Sequence, residues 1–193
     1  MAQRIVNNQY EMLLIGGSAG SLDVLIQLLP ALNQKSNLSI IIVLHRKAGE
    51  SLLVDLLSDK TRWFVKEAED KEKIEKKTIY VAPPDYHLLI EKDKTFSLDF
   101  SEKVHFSRPS IDVSFETAAE AYGPALMAVL LSGANADGAE GMRQIKRSGG
   151  MTIVQDPREA AVSYMPQQAI ELAKVDYIEP TTRIINIINR MAE

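Results

Sequence analysis

Apolar positions along the chain fall into short unbroken runs that alternate with stretches of helical spacing. Met12 to Ile15 is such a run and ends in Gly16-Gly17-Ser18-Ala19-Gly20-Ser21. Asp23 to Leu32 follows with helical character, preceded by Leu22, and Leu25, Ile26, Leu28 and Leu29 lie mostly on its apolar side. Residues 39 to 44, SIIIVL, predict a strand covered on both faces. Ser51 to Leu57 predicts a second helix. Strand–helix alternation of this kind implies a parallel sheet flanked by helices.

The middle of the chain breaks the pattern. Ten of the twelve residues from Lys66 to Lys77 are charged, five of each sign, which predicts a solvated loop or sheet edge. Thr78 to Ala82, Leu88 to Glu91 and Phe96 to Phe100 read as short strands, with a turn at Pro83-Pro84. A small antiparallel ribbon attached to the parallel sheet fits them. Alternation then resumes. Ser110 to Ala121, Asp137 to Arg147, Pro166 to Ala173 and Thr181 to Met191 predict helices. Ala125 to Leu131 and Met151 to Val154 predict buried strands. One doubly wound α/β domain accounts for residues 1–193, with a catalytic region starting by about residue 11.

Composition narrows the chemistry. With 46% apolar and 25% charged residues, 193 residues suffice for a packed core without staples. The absence of cysteine excludes disulfides and thiolate chemistry. The net charge of -4 gives no reason to expect nucleic acid. No apolar run is long enough to span a membrane, and MAQRIVNNQYE does not resemble a signal peptide, so a soluble cytoplasmic protein is expected. His45, His87 and His105 are not spaced like a short metal motif.

Gly16 to Gly20 matches G-x-S-x-G between a strand and a helix. In a nucleophile elbow the small neighbours allow a sharp turn that exposes the serine. The coming helix supplies unpaired N–H groups that favour an oxyanion. Two other readings stand beside it. A Gly/Ser-rich first turn also binds phosphate, as in nucleotide-binding enzymes, and Ser18 or Ser21 could simply cap the helix. His45 follows SIIIVL and should sit at the C-terminal sheet edge, within reach of Ser18. Asp137 lies in the polar loop SGANADGAEG after the 125–131 strand, at the same edge. It could orient the histidine, or, with Glu140 three residues on, form a capping box. The order Ser, His, Asp differs from the Ser, Asp, His order of α/β-hydrolases.

The distributed pattern resembles the catalytic domain of the chemotaxis protein-glutamate methylesterases. It runs through LLIGGSAGS (13–21), IIVLH (41–45), TIYVAPPDYHLLI (78–90), RPSIDVSFETAA (108–119), LLSGANADGAEGMRQIKRSGGMTIVQDP (130–157) and YMPQQAI (164–170). The resemblance implies a doubly wound fold distinct from the α/β-hydrolases. It also implies Ser18 as nucleophile, His45 as base and Asp137 as its partner. The implied activity is removal of methyl esters from glutamates on the cytoplasmic helices of chemoreceptors, with glutamine deamidation in some members and no cofactor. The family's well-known members carry an N-terminal receiver domain, which the residues from about 11 onward do not resemble.

Departures from the family pattern cluster around the site. Ala19 replaces a threonine, Ser21 a glycine and Arg46 a methionine, and Gly133-Ala134-Asn135 replaces Gly-Met-Gly. Ala19 and Ala134 are candidate oxyanion donors, while Asn135, Arg108 and Met165 are candidate pocket residues. These changes also leave room for an inactive signalling module of the same fold. Asp112, Asp156 and Tyr164 are candidates for framing or supporting roles.

Overall fold

The computed structural model describes residues 10–46 and 52–192. Seven parallel strands form the main sheet: β1 (Met12–Gly17), β2 (Ser39–Leu44), β3 (Phe64–Glu67), β4 (Thr78–Val81), β7 (Leu126–Leu130), β8 (Met151–Gln155) and β9 (Tyr177–Glu179). Their order is β3-β4-β2-β1-β7-β8-β9. β5 (His87–Ile90) and β6 (Phe96–Asp99) form a separate antiparallel ribbon. The helices are α1 (Ser21–Leu28), α2 (Leu53–Ser58), α3 (Ile111–Tyr122), α4 (Ala139–Arg147), α5 (Tyr164–Leu172) and α6 (Thr181–Met191). This is a mostly parallel, doubly wound α/β fold with a short antiparallel ribbon, and it is not an α/β-hydrolase.

The apolar runs explain the layering. Side chains alternate across a strand, so each central strand feeds two cores. Leu13 and Ile15 of β1 join Ile40 and Ile42 of β2 and the α1 and α6 side chains on one face. Met12 and Leu14 join Ile41, Val43 and the α3 and α4 side chains on the other. Every β1 side chain is fully buried. Each large one contributes on the order of 1.5–3 kcal/mol to folding. A strand buried on both faces cannot show polar alternation, which is why these segments read as continuous apolar runs.

The middle of the chain differs from expectation in two ways. The Thr78–Val81 strand belongs to the parallel sheet, paired with β2 and β3, so the ribbon comprises β5 and β6 alone. The charged stretch begins inside β3, an edge strand whose Lys66 pairs with Glu69 and Glu72. β9 is a further short edge strand that the apolar pattern does not single out. The expected start of the second helix at Ser51 lies outside the described residues, and its described part begins at Leu53.

The strand order reverses direction at β1. On one side of β1 lie β2, β4 and β3, the chain reaching edge β3 before it returns to β4, and on the other lie β7, β8 and β9 in chain order. Ligand crevices of open α/β sheets form at such a switch point, at the carboxyl ends of the strands. Ser18, His45 and the 132–137 loop all leave the sheet there.

Candidate functional site

The register of the sheet brings Ser18 and His45 side by side. Gly17 pairs with Leu44, and the His45 amide donates to the Gly17 carbonyl at 3.2 Å. The next residue of each strand is therefore its neighbour's partner, across a spacing of about 4.8 Å. On the other flank the Ser18 amide donates to the Ser132 carbonyl at 2.8 Å, so Ser18 stands between the ends of β2 and β7.

The turn after Ser18 is set by its neighbours. Gly20 takes φ 82°, and a Cβ there would lie 2.5 Å from the Ala161 methyl. Ser21 does not cap α1 in the ordinary sense. Its buried hydroxyl donates to the Ser132 carbonyl at 2.8 Å and accepts the Ser18 amide at 3.0 Å. This ties the first turn to the loop after β7. A Cβ on Gly17 would lie 2.1 Å from that hydroxyl, so Gly17 makes room for Ser21.

His45 reaches Asp137 directly: Nε2 and Oδ2 are 2.7 Å apart. Asp137 is fully buried and accepts three further hydrogen bonds. Ser110 Oγ donates to Oδ1 at 2.8 Å, the Ile111 amide to Oδ2 at 2.7 Å and the Asp112 amide to Oδ1 at 2.9 Å. Burial alone would push its pKa up. The His45 bond and the Asp112 and Ile111 amides outweigh burial and hold it below the ordinary aspartate value.

The capping-box reading of Asp137 and Glu140 requires correction. The residue preceding α4 is Gly138 at φ 97°, with no side-chain cap, and Glu140 turns to Arg143 and Gln144. Asp137 does cap a helix, but that helix is α3. The favour is returned: Asp112 of α3 accepts the Gly138 and Gly141 amides at 2.9 and 2.7 Å. Each helix start is thus neutralised by a carboxylate from the other, at the positive ends of both dipoles. Burial, opposed by the Gly141 amide and assisted by the Asp137 charge, raises the Asp112 pKa to about 6.

The remaining candidates fall into different positions. Ala19 and Ala134 are exposed at the crevice, and their amides make no hydrogen bond among the described residues. Asn135 does not take a left-handed backbone. Its side chain donates to the His105 carbonyl at 3.2 Å and accepts the Asp137 amide at 3.2 Å, pinning the loop to the 105–107 segment. Met165 is fully buried, packed on Gly133, and its amide donates to the Gly133 carbonyl, so it supports the loop from beneath. Arg108 is spent locally, stacked 3.8 Å above the Phe100 ring and donating to the Phe100 and Ser101 carbonyls. Arg46 binds Glu67 and the Ala82 carbonyl, tying β2 to its neighbours β4 and β3. Asp156 engages Arg158 in the turn after β8. Tyr164 begins α5, half exposed.

Two groups near the site carried no chemical signal in the sequence. Both Ser110 and His87 are buried, Ser110 bonded to Asp137 and His87 to the Ser110 amide. Hydrogen bonds between a loop carboxylate and a distant helix start leave no periodic or local signature. The described residues contain no group of three or more His, Cys, Asp or Glu side chains that could hold a metal. They also contain no helix long and apolar enough to cross a membrane.

Comparison with known proteins agrees with this architecture. The family model described as CheB methylesterase matches residues 13–188. This chain belongs to the CheB methylesterase family. A Leptospira interrogans protein, provisionally named protein-glutamate methylesterase/protein-glutamine glutaminase, is 48% identical over 187 residues, covering 94% of this chain and 95% of its own. The Halobacterium salinarum protein-glutamate methylesterase/protein-glutamine glutaminase is 35% identical over 91% of this chain, which spans 52% of that longer protein. The crystal structure of the Thermotoga maritima CheB methylesterase catalytic domain superposes with a TM-score of 0.89 at 32% identity. It covers 94% of this chain and 98% of that domain.

Proposed function

We propose that this CheB-family chain is a cytoplasmic serine hydrolase that removes methyl esters from glutamate side chains of chemoreceptors. The observation that carries the reading is the pairing of His45 with the buried Asp137, 2.7 Å apart, at the strand end that adjoins Ser18. Membership of the family and the names of the relatives support the substrate class.

In this mechanism Asp137 holds His45 Nε2–H, so Nδ1 is the nitrogen that works on Ser18. Ser18 Oγ attacks the ester carbonyl while Nδ1 takes its proton. The oxyanion is received by the Ala19 and Ala134 amides, both free of hydrogen bonds among the described residues. His45 then protonates departing methanol, leaving a glutamyl ester on Ser18. Water, deprotonated by Nδ1, attacks that ester. Collapse returns the proton to Ser18 Oγ and releases the glutamate carboxylate. The depressed pKa of Asp137 keeps it anionic throughout, so it stabilises the imidazolium without taking the proton. Deamidation of glutamine follows the same path with ammonia as leaving group. No step calls for a cofactor.

Ser18→Ala tests the reading on a methylated receptor fragment and with a serine-directed phosphonate. Loss of stoichiometric labelling together with a fall in turnover of the order of 10⁶-fold is expected. Wild-type turnover in Ser18→Ala refutes it. A wild-type protein that neither labels nor turns over is a non-catalytic signalling member of the family.

A further inference from the structure

His87 lies on β5, fully enclosed between the ribbon and α3. The Ser110 amide donates to its Nδ1 at 3.1 Å, and its Nε2 faces the Glu102 carbonyl at 2.9 Å. A backbone amide can only donate and a carbonyl can only accept. Nδ1 must therefore be bare and Nε2 must carry the proton, which fixes the ring as one neutral tautomer. The residue it grips is Ser110, whose hydroxyl donates to Asp137 Oδ1 at 2.8 Å. The next two amides, of Ile111 and Asp112, also donate to Asp137.

Two further bonds tie the ribbon to α3, each about one helical turn further along. The Ser114 hydroxyl donates to the Leu88 carbonyl at 2.7 Å, and the Ile90 amide donates to the Thr117 hydroxyl at 3.1 Å. The Ser114 hydroxyl also reaches the Ser110 carbonyl at 3.3 Å, whereas the Thr117 bond touches none of the residues that hold Asp137. Of the three, only His87 takes the amide of Ser110, the residue whose hydroxyl and two following amides hold Asp137.

We propose that His87 is a positioning residue for hydrolysis: as a neutral acceptor it fixes the start of α3, and with it the three donors that orient Asp137 toward His45. This rests on the reading of Ser18, His45 and Asp137 as the catalytic relay. A ring serving only to fill space would need neither the bare Nδ1 nor its alignment with the Ser110 amide.

The experiment compares His87→Leu, His87→Asn and Thr117→Val in the full chain. His87→Leu removes both polar contacts, whereas an asparagine Oδ1 lies near the Nδ1 position and restores an acceptor. Thr117→Val removes a ribbon–helix bond remote from Asp137. Readouts are kcat and KM on a methylated receptor fragment, the rate of phosphonate labelling, and Tm. His87→Leu is expected to lower kcat and labelling rate together, on the order of 10–100-fold, with KM within about twofold. His87→Asn is expected to recover most of that loss, and Thr117→Val to keep kcat within about twofold at a comparable loss of Tm.

The proposal is overturned if His87→Leu and Thr117→Val lose kcat alike, or if asparagine is no better than leucine. Should His87→Leu fail to fold, His87→Asn and nitrogen NMR of the wild-type ring decide the matter. A ring protonated at Nδ1, or an asparagine variant as slow as Ser18→Ala, refutes the role. Failure of the underlying relay is recognised separately, because Ser18→Ala would then turn over normally.

Discussion

Asp137→Asn separates the two duties of one carboxylate. Asp137 receives four donors on two oxygens: Ser110 Oγ and the Asp112 amide on Oδ1, His45 Nε2 and the Ile111 amide on Oδ2. Asparagine is nearly the same size but replaces one acceptor by an NH₂ group. Whichever way the amide faces, its NH₂ meets a backbone N–H that cannot become an acceptor. One buried amide is left without a partner, at a cost of about 1–3 kcal/mol. For a domain of this size that lowers Tm by roughly 2–4 °C per kcal/mol. If the NH₂ faces His45, the ring must accept at Nε2 and hold its proton on Nδ1, where it cannot activate Ser18. If it faces Ser110, the tautomer is kept but the imidazolium loses its counter-charge. Either arrangement predicts a fall in kcat of up to about 10⁴-fold, the size seen for the same exchange in a Ser-His-Asp protease, or about 5.5 kcal/mol of barrier. The assay pairs steady-state hydrolysis of a methylated receptor fragment with thermal melting. A variant that shows the expected loss of Tm but keeps kcat within about tenfold would prove that Asp137 caps α3 and does nothing more.

Two further outcomes are expected. The Asp112 carboxyl titrates at about 6 in the folded chain against an ordinary 3.8. Between those values the folded state holds a proton that the unfolded state has released, so stability falls as pH rises through that window, by about 3 kcal/mol in total. Asp112→Asn keeps an acceptor for the Gly138 and Gly141 amides. It should remove that part of the decline in denaturant titrations from pH 4 to 7, and curves parallel to wild type would count against the assignment. Phe106 is 97% exposed beside the Asn135 loop, so Phe106→Ala should leave stability within about 0.5 kcal/mol. If its ring meets the receptor, KM on the receptor fragment rises several-fold while phosphonate labelling is unchanged.

Ser18 and His45 were legible because each ends a strand whose apolar run is unmistakable, and the sheet order then makes them neighbours. Asp137 was legible as a residue but not as a geometry. Its sequence neighbours Gly138 and Glu140 imply a cap for the helix that follows, whereas its oxygens serve a helix that begins 26 residues earlier. Helix ends meeting across a core are decided by packing, which adjacent residues do not encode. β3 and β9 leave no clear mark in the sequence for a related reason. They are short, lie at the sheet edges and bury few side chains, so neither an apolar run nor alternation marks them. The role of His87 is illegible because its partners are two backbone groups, and a backbone partner has no letter in the sequence.

The exchange of carboxylates between α3 and α4 also bears on when the protein becomes reactive. Neither helix owns the anion that completes its first turn; each borrows it from a segment more than 20 residues away. During synthesis the Ser18 turn and His45 emerge early, but the imidazole has no counter-ion until the chain has been extended past residue 137 and both helices have docked. On the proposed mechanism, a nascent or half-assembled chain lacks the complete relay, which comes together only when the closing half of the sheet is in place.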